Sequence, residues 1–85
     1  MVYFLTSEAL SDKIKIGYSR DPEQRRKGLT LPGTKIVATI AGGKAVEREL
    51  HQRFRRARIK NSEWFWYLPE IADLVREVQN GQKAS

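Results

Sequence analysis

The chain opens on Val2-Tyr3-Phe4-Leu5, an unbroken run of β-branched, aromatic and aliphatic residues that predicts a buried strand. Thr6 to Asp12 is polar and suits a hairpin loop. Lys13-Ile14-Lys15-Ile16-Gly17-Tyr18 alternates with period two, which puts Ile14 and Ile16 on the core side of a strand and Lys13 and Lys15 on the other. Two strands joined by a short polar loop predict an antiparallel hairpin. Asp21-Pro22-Glu23 then starts a helix, with Asp21 as N-cap and Pro22 at the first helical position, where its missing N–H costs nothing. Gly28 caps the end, and Pro32-Gly33 marks a turn. Lys35 to Ala41 is the third strand, broken by Gly42-Gly43.

From Lys44 to about Lys60 the period becomes helical, with Val46, Leu50 and Phe54 on one face. Glu63-Trp64-Phe65-Trp66-Tyr67 is either a short edge strand or an extended segment over the core. Pro69 opens a last helix, with Ile71, Leu74, Val75 and Val78 at i, i+3, i+4 and i+7, and Gly81 is its expected stop. The order β-β-α-β-α-(β)-α predicts one α+β domain over residues 1–80, a three-stranded antiparallel sheet flanked by helices, and a frayed tail at 81–85.

Composition narrows the function. The 85 residues carry 16 Lys and Arg against 10 Asp and Glu, a net charge of +6 and a pI of about 10.0. In so small a chain that excess predicts a polyanionic partner, nucleic acid first and anionic lipid second. There is no cysteine, which excludes disulfide staples, cysteine-ligated zinc and a thiol nucleophile, and one histidine excludes a histidine cage. No apolar run approaches the roughly 18 to 20 residues of a bilayer span, and Met1 to Leu5 lacks the basic start of a signal peptide. The expectation is an intracellular protein, away from membranes and monomeric.

Most catalytic schemes fail on inventory. No nucleophile elbow surrounds any serine, and the glycine turns lack phosphate-loop spacing. The polar residues on structured elements are more telling. Tyr3 lies on the first strand, Lys15 on the second with Tyr18 at its end, and Arg25 on the first helix. Glu47 and His51 are one turn apart on the second helix. Phosphodiester hydrolysis needs a proton acceptor for water, a cation for the pentacovalent phosphorane and a metal or acid for the leaving oxygen, and this set is chemically sufficient.

The same residues resemble a family. Val2-Tyr3-Phe4 followed by Lys15-Ile16-Gly17, then Ser19 and Asp21-Pro22-Glu23-x-Arg25, looks like the opening of the GIY-YIG nuclease superfamily. Glu47-x-x-Leu50-His51-x-x-Phe54 and then Glu63-Trp64-Phe65 is similar to its branch of phage-associated DNA-binding domains and "meiotically up-regulated gene" type nuclease domains. The resemblance implies a three-stranded antiparallel sheet flanked by helices. It implies that Tyr3 contacts the nucleophilic water or scissile phosphate, and that Gly17 permits close approach. It also implies that Arg25 stabilises the phosphorane and that Glu47 binds one divalent ion, Mg²⁺ or Mn²⁺, weakly without substrate. Lys15 departs from the usual tyrosine. Lysine binds phosphate but is a poor base at neutral pH unless its pKa is depressed, so Tyr18 and His51 stand as substitutes for the base.

Arg53, Arg55, Arg56, Arg58 and Lys60 form a basic cluster with no acidic residue inside it. Together with Arg20, Arg25, Arg26 and Lys27 it predicts contact with the DNA phosphate backbone, chiefly through Arg20, Arg26, Lys27, Arg53 and Arg56. Nothing resembles a base-reading helix, so little sequence preference is expected. Trp64, Phe65 and Trp66 read as core or edge packing, with Trp66 or Tyr67 the candidate for stacking on a base. Three functions follow: a metal-dependent endonuclease, a non-catalytic DNA-binding module of the same fold, and an interaction subunit. The last requires an exposed apolar patch of Trp64, Trp66 and the helix at 70–79.

Overall fold

The computed structural model describes residues 1–84. Its strands are β1 (Val2–Thr6), β2 (Lys13–Tyr18), β3 (Lys35–Ile40) and β4 (Trp64–Trp66), and its α-helices are α1 (Pro22–Lys27), α2 (Lys44–Arg53) and α3 (Pro69–Ala84). The strand order is β3-β1-β2-β4, every neighbouring pair antiparallel. This is a small α+β domain, and its sheet has four strands where three were expected. The fourth comes from the aromatic run: Ile14 pairs with Phe65 and Lys15 with Trp64, so the segment is an edge strand. Aromatic side chains suit the half-buried pleated surface, which is why three residues suffice to hold it there.

Alternation sorts the side chains. Val2 and Phe4 of β1, Ile14 and Ile16 of β2, Ala38 and Phe65 share the main core. Leu50, Phe54, Ala57, Ile71 and Val75 cover it, which places α2 and α3 on this face. The opposite face carries Tyr3, Leu5, Lys15 and Gly17, since directly paired residues point the same way and Tyr3 faces Gly17 while Leu5 faces Lys15. Tyr3 and Leu5 are as fully buried as the core residues. The sheet is thus buried on both faces, and β1 reads as a continuous apolar run for that reason.

Two helix ends differ from the periodic pattern. The second helix stops at Arg53 rather than near Lys60. Phe54 turns inward as its C-cap, Arg55–Ala57 form one 3₁₀ turn, and Arg58 is extended. Phe54 and Ala57 are both buried across this break, while the basic residues between them turn out to solvent. The last helix runs through Gly81 to Ala84 instead of stopping there. Gln79 Nε2 donates to the Val37 carbonyl at 2.7 Å and Gln82 Nε2 to the Thr39 carbonyl at 2.8 Å, tying this end to the outer edge of β3. Those anchors offset the roughly 1 kcal/mol that glycine costs within a helix. Of the expected tail, Ser85 lies outside the described residues.

Phe65 packs at the junction of β2, β4 and α2, fully buried and edge-on to the His51 ring at 5.0 Å. Phe65→Ala is expected to destabilise the domain by about 3–5 kcal/mol. Urea unfolding followed by tryptophan fluorescence measures it, and a loss under 1 kcal/mol contradicts the packing described.

Candidate active site

The site is built around a glycine. A Cβ at Gly17 would lie 2.7 Å from both Cζ and the hydroxyl of Tyr3 and 2.9 Å from Oε2 of Glu63. Phenol and carboxylate therefore flank one point on β2, and only the missing side chain lets them meet there. Strand β4 stops at Trp64, so it does not pair with this end of β2. Loose groups take its place: the Ile16 N–H donates to the Glu63 carbonyl at 2.9 Å, and Nε2 of His51 lies 2.9 Å from the Ile16 carbonyl. A carbonyl only accepts, so Nε2 carries the proton and Nδ1 is the ring nitrogen left to accept one.

Lys15 is 8% exposed, and its Nζ lies 3.8 Å from Oε2 of Glu63. The Glu63 side chain is 41% exposed, so this carboxylate reaches from solvent to a largely buried ammonium. Tyr3 is held protonated. Burial pushes its phenol above the usual tyrosine range, and the Glu63 carboxylate pushes it further. The Arg25 guanidinium opposes this through its charge and a hydrogen bond to the phenol, and Glu47 adds a smaller upward push. Tyr3 is therefore a hydrogen-bond donor at neutral pH rather than a base.

Two clefts adjoin these residues. One, of about 560 Å³, is lined by Ser19, Arg20, Asp21, Gln24, Arg25 and Leu29. The Asp21 carboxylate accepts from the Gln24 N–H at 3.2 Å and the exposed last turn carries Arg25 and Lys27, so the cap and Pro22 aim the cations outward. The other, of about 380 Å³, is lined by Lys44, Glu47, Arg48, His51, Arg55 and Arg58. Glu47 is half-buried there and makes no salt bridge among the described residues.

The structure thus brings Tyr3, Lys15 and Arg25 together, with Glu47 within electrostatic range. Tyr18 is not in this group: alternation puts it on the face of Ile14 and Ile16, across the strand from Lys15 and Gly17. Glu63 belongs to the group although its sequence role was only that of a motif residue. The signal was its place just before an edge strand, but the pairing that carries it to Lys15 is visible only in the fold. Among the basic residues, Arg20 lines the first cleft, and Lys27 is exposed at the end of α1. Arg26 is engaged by Glu23 at 2.9 Å and lies 3.5 Å from the Thr34 hydroxyl. Arg53 stacks over the Phe54 ring at 5.0 Å, and Arg56 is exposed on the 3₁₀ turn. The break after Arg53 gives the second cleft a different set of cations, Lys44, Arg48, Arg55 and Arg58.

The family model described as the T5orf172 domain matches residues 1–80. The chain belongs to the T5orf172 domain family. This family is found associated with GIY-YIG nuclease proteins. Neither the curated proteins nor the solved structures give a match. The T5orf172 match spans β1 through most of α3, so every residue of the candidate site falls within it. No described helix is long and apolar enough to cross a membrane.

Gly17→Ala tests the close approach at the centre of this T5orf172 domain. Tyr3 is 1% exposed and has little room to retreat, whereas Glu63 can swing into solvent. The substitution is expected to destabilise by about 1–3 kcal/mol, as overpacking does. It should also bring the Tyr3 phenol closer to its ordinary titration range by displacing Glu63. Ultraviolet titration of the phenols together with thermal unfolding reads both effects, and an unchanged Tyr3 with full stability contradicts the arrangement.

Proposed function

We propose that this domain binds DNA along the phosphate backbone and hydrolyses phosphodiester bonds with the help of one divalent ion. The observation that carries the reading is a linked set of polar groups: Tyr3 and Glu63 meet over Gly17, Lys15 pairs with Glu63, Arg25 bonds to the Tyr3 phenol, and Glu47 is within electrostatic range. Cations next to a phenol donor suit a phosphorane, because its charge is spread over equatorial oxygens. Arg25 is exposed at a cleft and meets those oxygens with a planar fork. Lys15, anchored on a strand, fixes a point charge for one further oxygen. Tyr3 donates its proton in a hydrogen bond that orients phosphate or water.

The metal rests on Glu47. Among the described residues no group of three His, Cys, Asp or Glu is placed to hold an ion. A single half-buried carboxylate without a salt bridge fits a hard cation that keeps most of its waters and takes substrate phosphate as a further ligand. Mg²⁺ or Mn²⁺ is the class that fits, and when bound it would stabilise charge on the leaving 3′ oxygen. The lack of a three-ligand cluster also favours the second reading, a DNA-binding module without turnover. An interaction subunit is less well supported. The apolar residues of α3 face the core, and Met1, Trp66 and Leu68 are the exposed large apolar residues, with Lys13 lying over the Trp66 ring at 4.6 Å.

DNA affinity should fall about 100-fold between roughly 50 and 200 mM salt, as four phosphate contacts would give, and differ little between unrelated duplexes. A flat response measured by fluorescence anisotropy removes nucleic acid from the reading.

Cleavage is tested on supercoiled and branched DNA with magnesium, manganese or EDTA. The parent should cleave with metal only. Glu47→Gln should lose cleavage by orders of magnitude while binding DNA equally or slightly more tightly, since a repulsive charge is gone. Exposed Glu49, about 200° around the helix, is the control, and Glu49→Gln should be nearly silent. Equal cleavage by both variants excludes Glu47 as the ligand, and no cleavage by the parent on any DNA leaves the binding module.

Lys15→Tyr separates two roles for the lysine. A residue that only positions phosphate should tolerate the phenol, with single-turnover cleavage kept or raised. Abolished cleavage with intact binding defeats that role.

A further inference from the structure

We propose that Glu63 is the proton acceptor for the attacking water. The inference rests on the hydrolytic reading and assigns its missing base. The other candidates are each committed elsewhere. Tyr3 is kept protonated by burial and by Glu63 itself. Lys15 stands in an ion pair with Glu63. Tyr18 lies on the opposite face of β2. His51 gives its Nε2 proton to the Ile16 carbonyl and packs its ring on Phe65 within the α2 side of the sheet. Glu47 is the carboxylate left for the metal.

Glu63 has what the task requires. Its Oε2 and the Tyr3 hydroxyl flank the same point above Gly17, less than 3 Å from it. A water on the open side of this carboxylate would donate a hydrogen bond to Glu63, which leaves a lone pair for phosphorus. The carboxylate is open to solvent on one side, so water reaches it without a channel. Lys15 beside it holds the carboxylate in place and presents a cation to the incoming phosphate. In the step, the water O–H bond breaks and its proton passes to Glu63. The water oxygen forms the new bond to phosphorus as the bond from phosphorus to the 3′ oxygen breaks, and the leaving oxygen takes a proton from solvent. Glu63 then returns its proton to solvent.

Glu63→Gln keeps the shape and a hydrogen-bonding amide but cannot accept the proton. Single-turnover cleavage by this variant should fall by about 100-fold or more, in the range general bases contribute. DNA affinity should be unchanged or higher. Glu63→Asp should recover part of the rate, and the acidic limb of the parent's pH–rate profile should be absent from the Gln variant. A second readout does not depend on turnover: with the negative charge removed, the Tyr3 phenol should titrate at lower pH than in the parent, followed by ultraviolet absorbance or NMR. If the parent cleaves with metal and Glu63→Gln cleaves equally with the same pH profile, Glu63 is not the base and the hydrolytic reading survives. If Glu63→Gln leaves Tyr3 titration unmoved, the geometry invoked is wrong. If the parent cleaves no DNA with any metal, both the base and the hydrolytic reading fall together.

Discussion

Everything at the candidate site depends on the absence of one carbon atom. Tyr3 is locked into β1 and buried, so its hydroxyl has a fixed position over β2. Any side chain at position 17 would occupy the space that the phenol and the Glu63 carboxylate now share. Glycine is usually costly in a strand interior, because it loses conformational entropy and packs nothing. Here that loss is offset by a dense contact between two strands and a turn, and the contact gathers the polar groups. The shortness of β4 works in the same direction. Three paired residues hold Phe65 in the core, and the edge of β2 beyond them is left for Glu63 and His51 to satisfy.

Much of the scaffold was legible because burial leaves periodic marks. Alternation at Ile14 and Ile16, the cap at Asp21 followed by Pro22, and the spacing of Ile71, Leu74, Val75 and Val78 each report a local rule that the tertiary structure does not override. The failures have local causes too. The second helix gives way at Phe54 to a single 3₁₀ turn, yet the basic residues around it read equally well as a continuing helix. Gly81 looked like a stop, but the glutamines on either side are anchored to β3 carbonyls, a long-range bond that no window of sequence reveals.

The site divides along the same line. Tyr3, Lys15, Gly17 and Arg25 were marked by their motif and come together, but Tyr18 was read for its chemistry without its parity on the strand. One residue of displacement along β2 moves a side chain to the other face. Glu63 is the converse: its importance comes from register and from the charge it faces, and neither has a signature of its own in a chain with ten acidic residues.

The electrostatics then follow from burial. Lys15 gives up nearly all its hydration, and an unpartnered ammonium in that position would be strongly disfavoured. Glu63 supplies the partner, but at 3.8 Å and from a side chain that is 41% exposed, so the pair is looser than a closed hydrogen-bonded bridge. Rigid strands hold the phenol and the ammonium, while the exposed arginine and glutamate supply the adjustable charge.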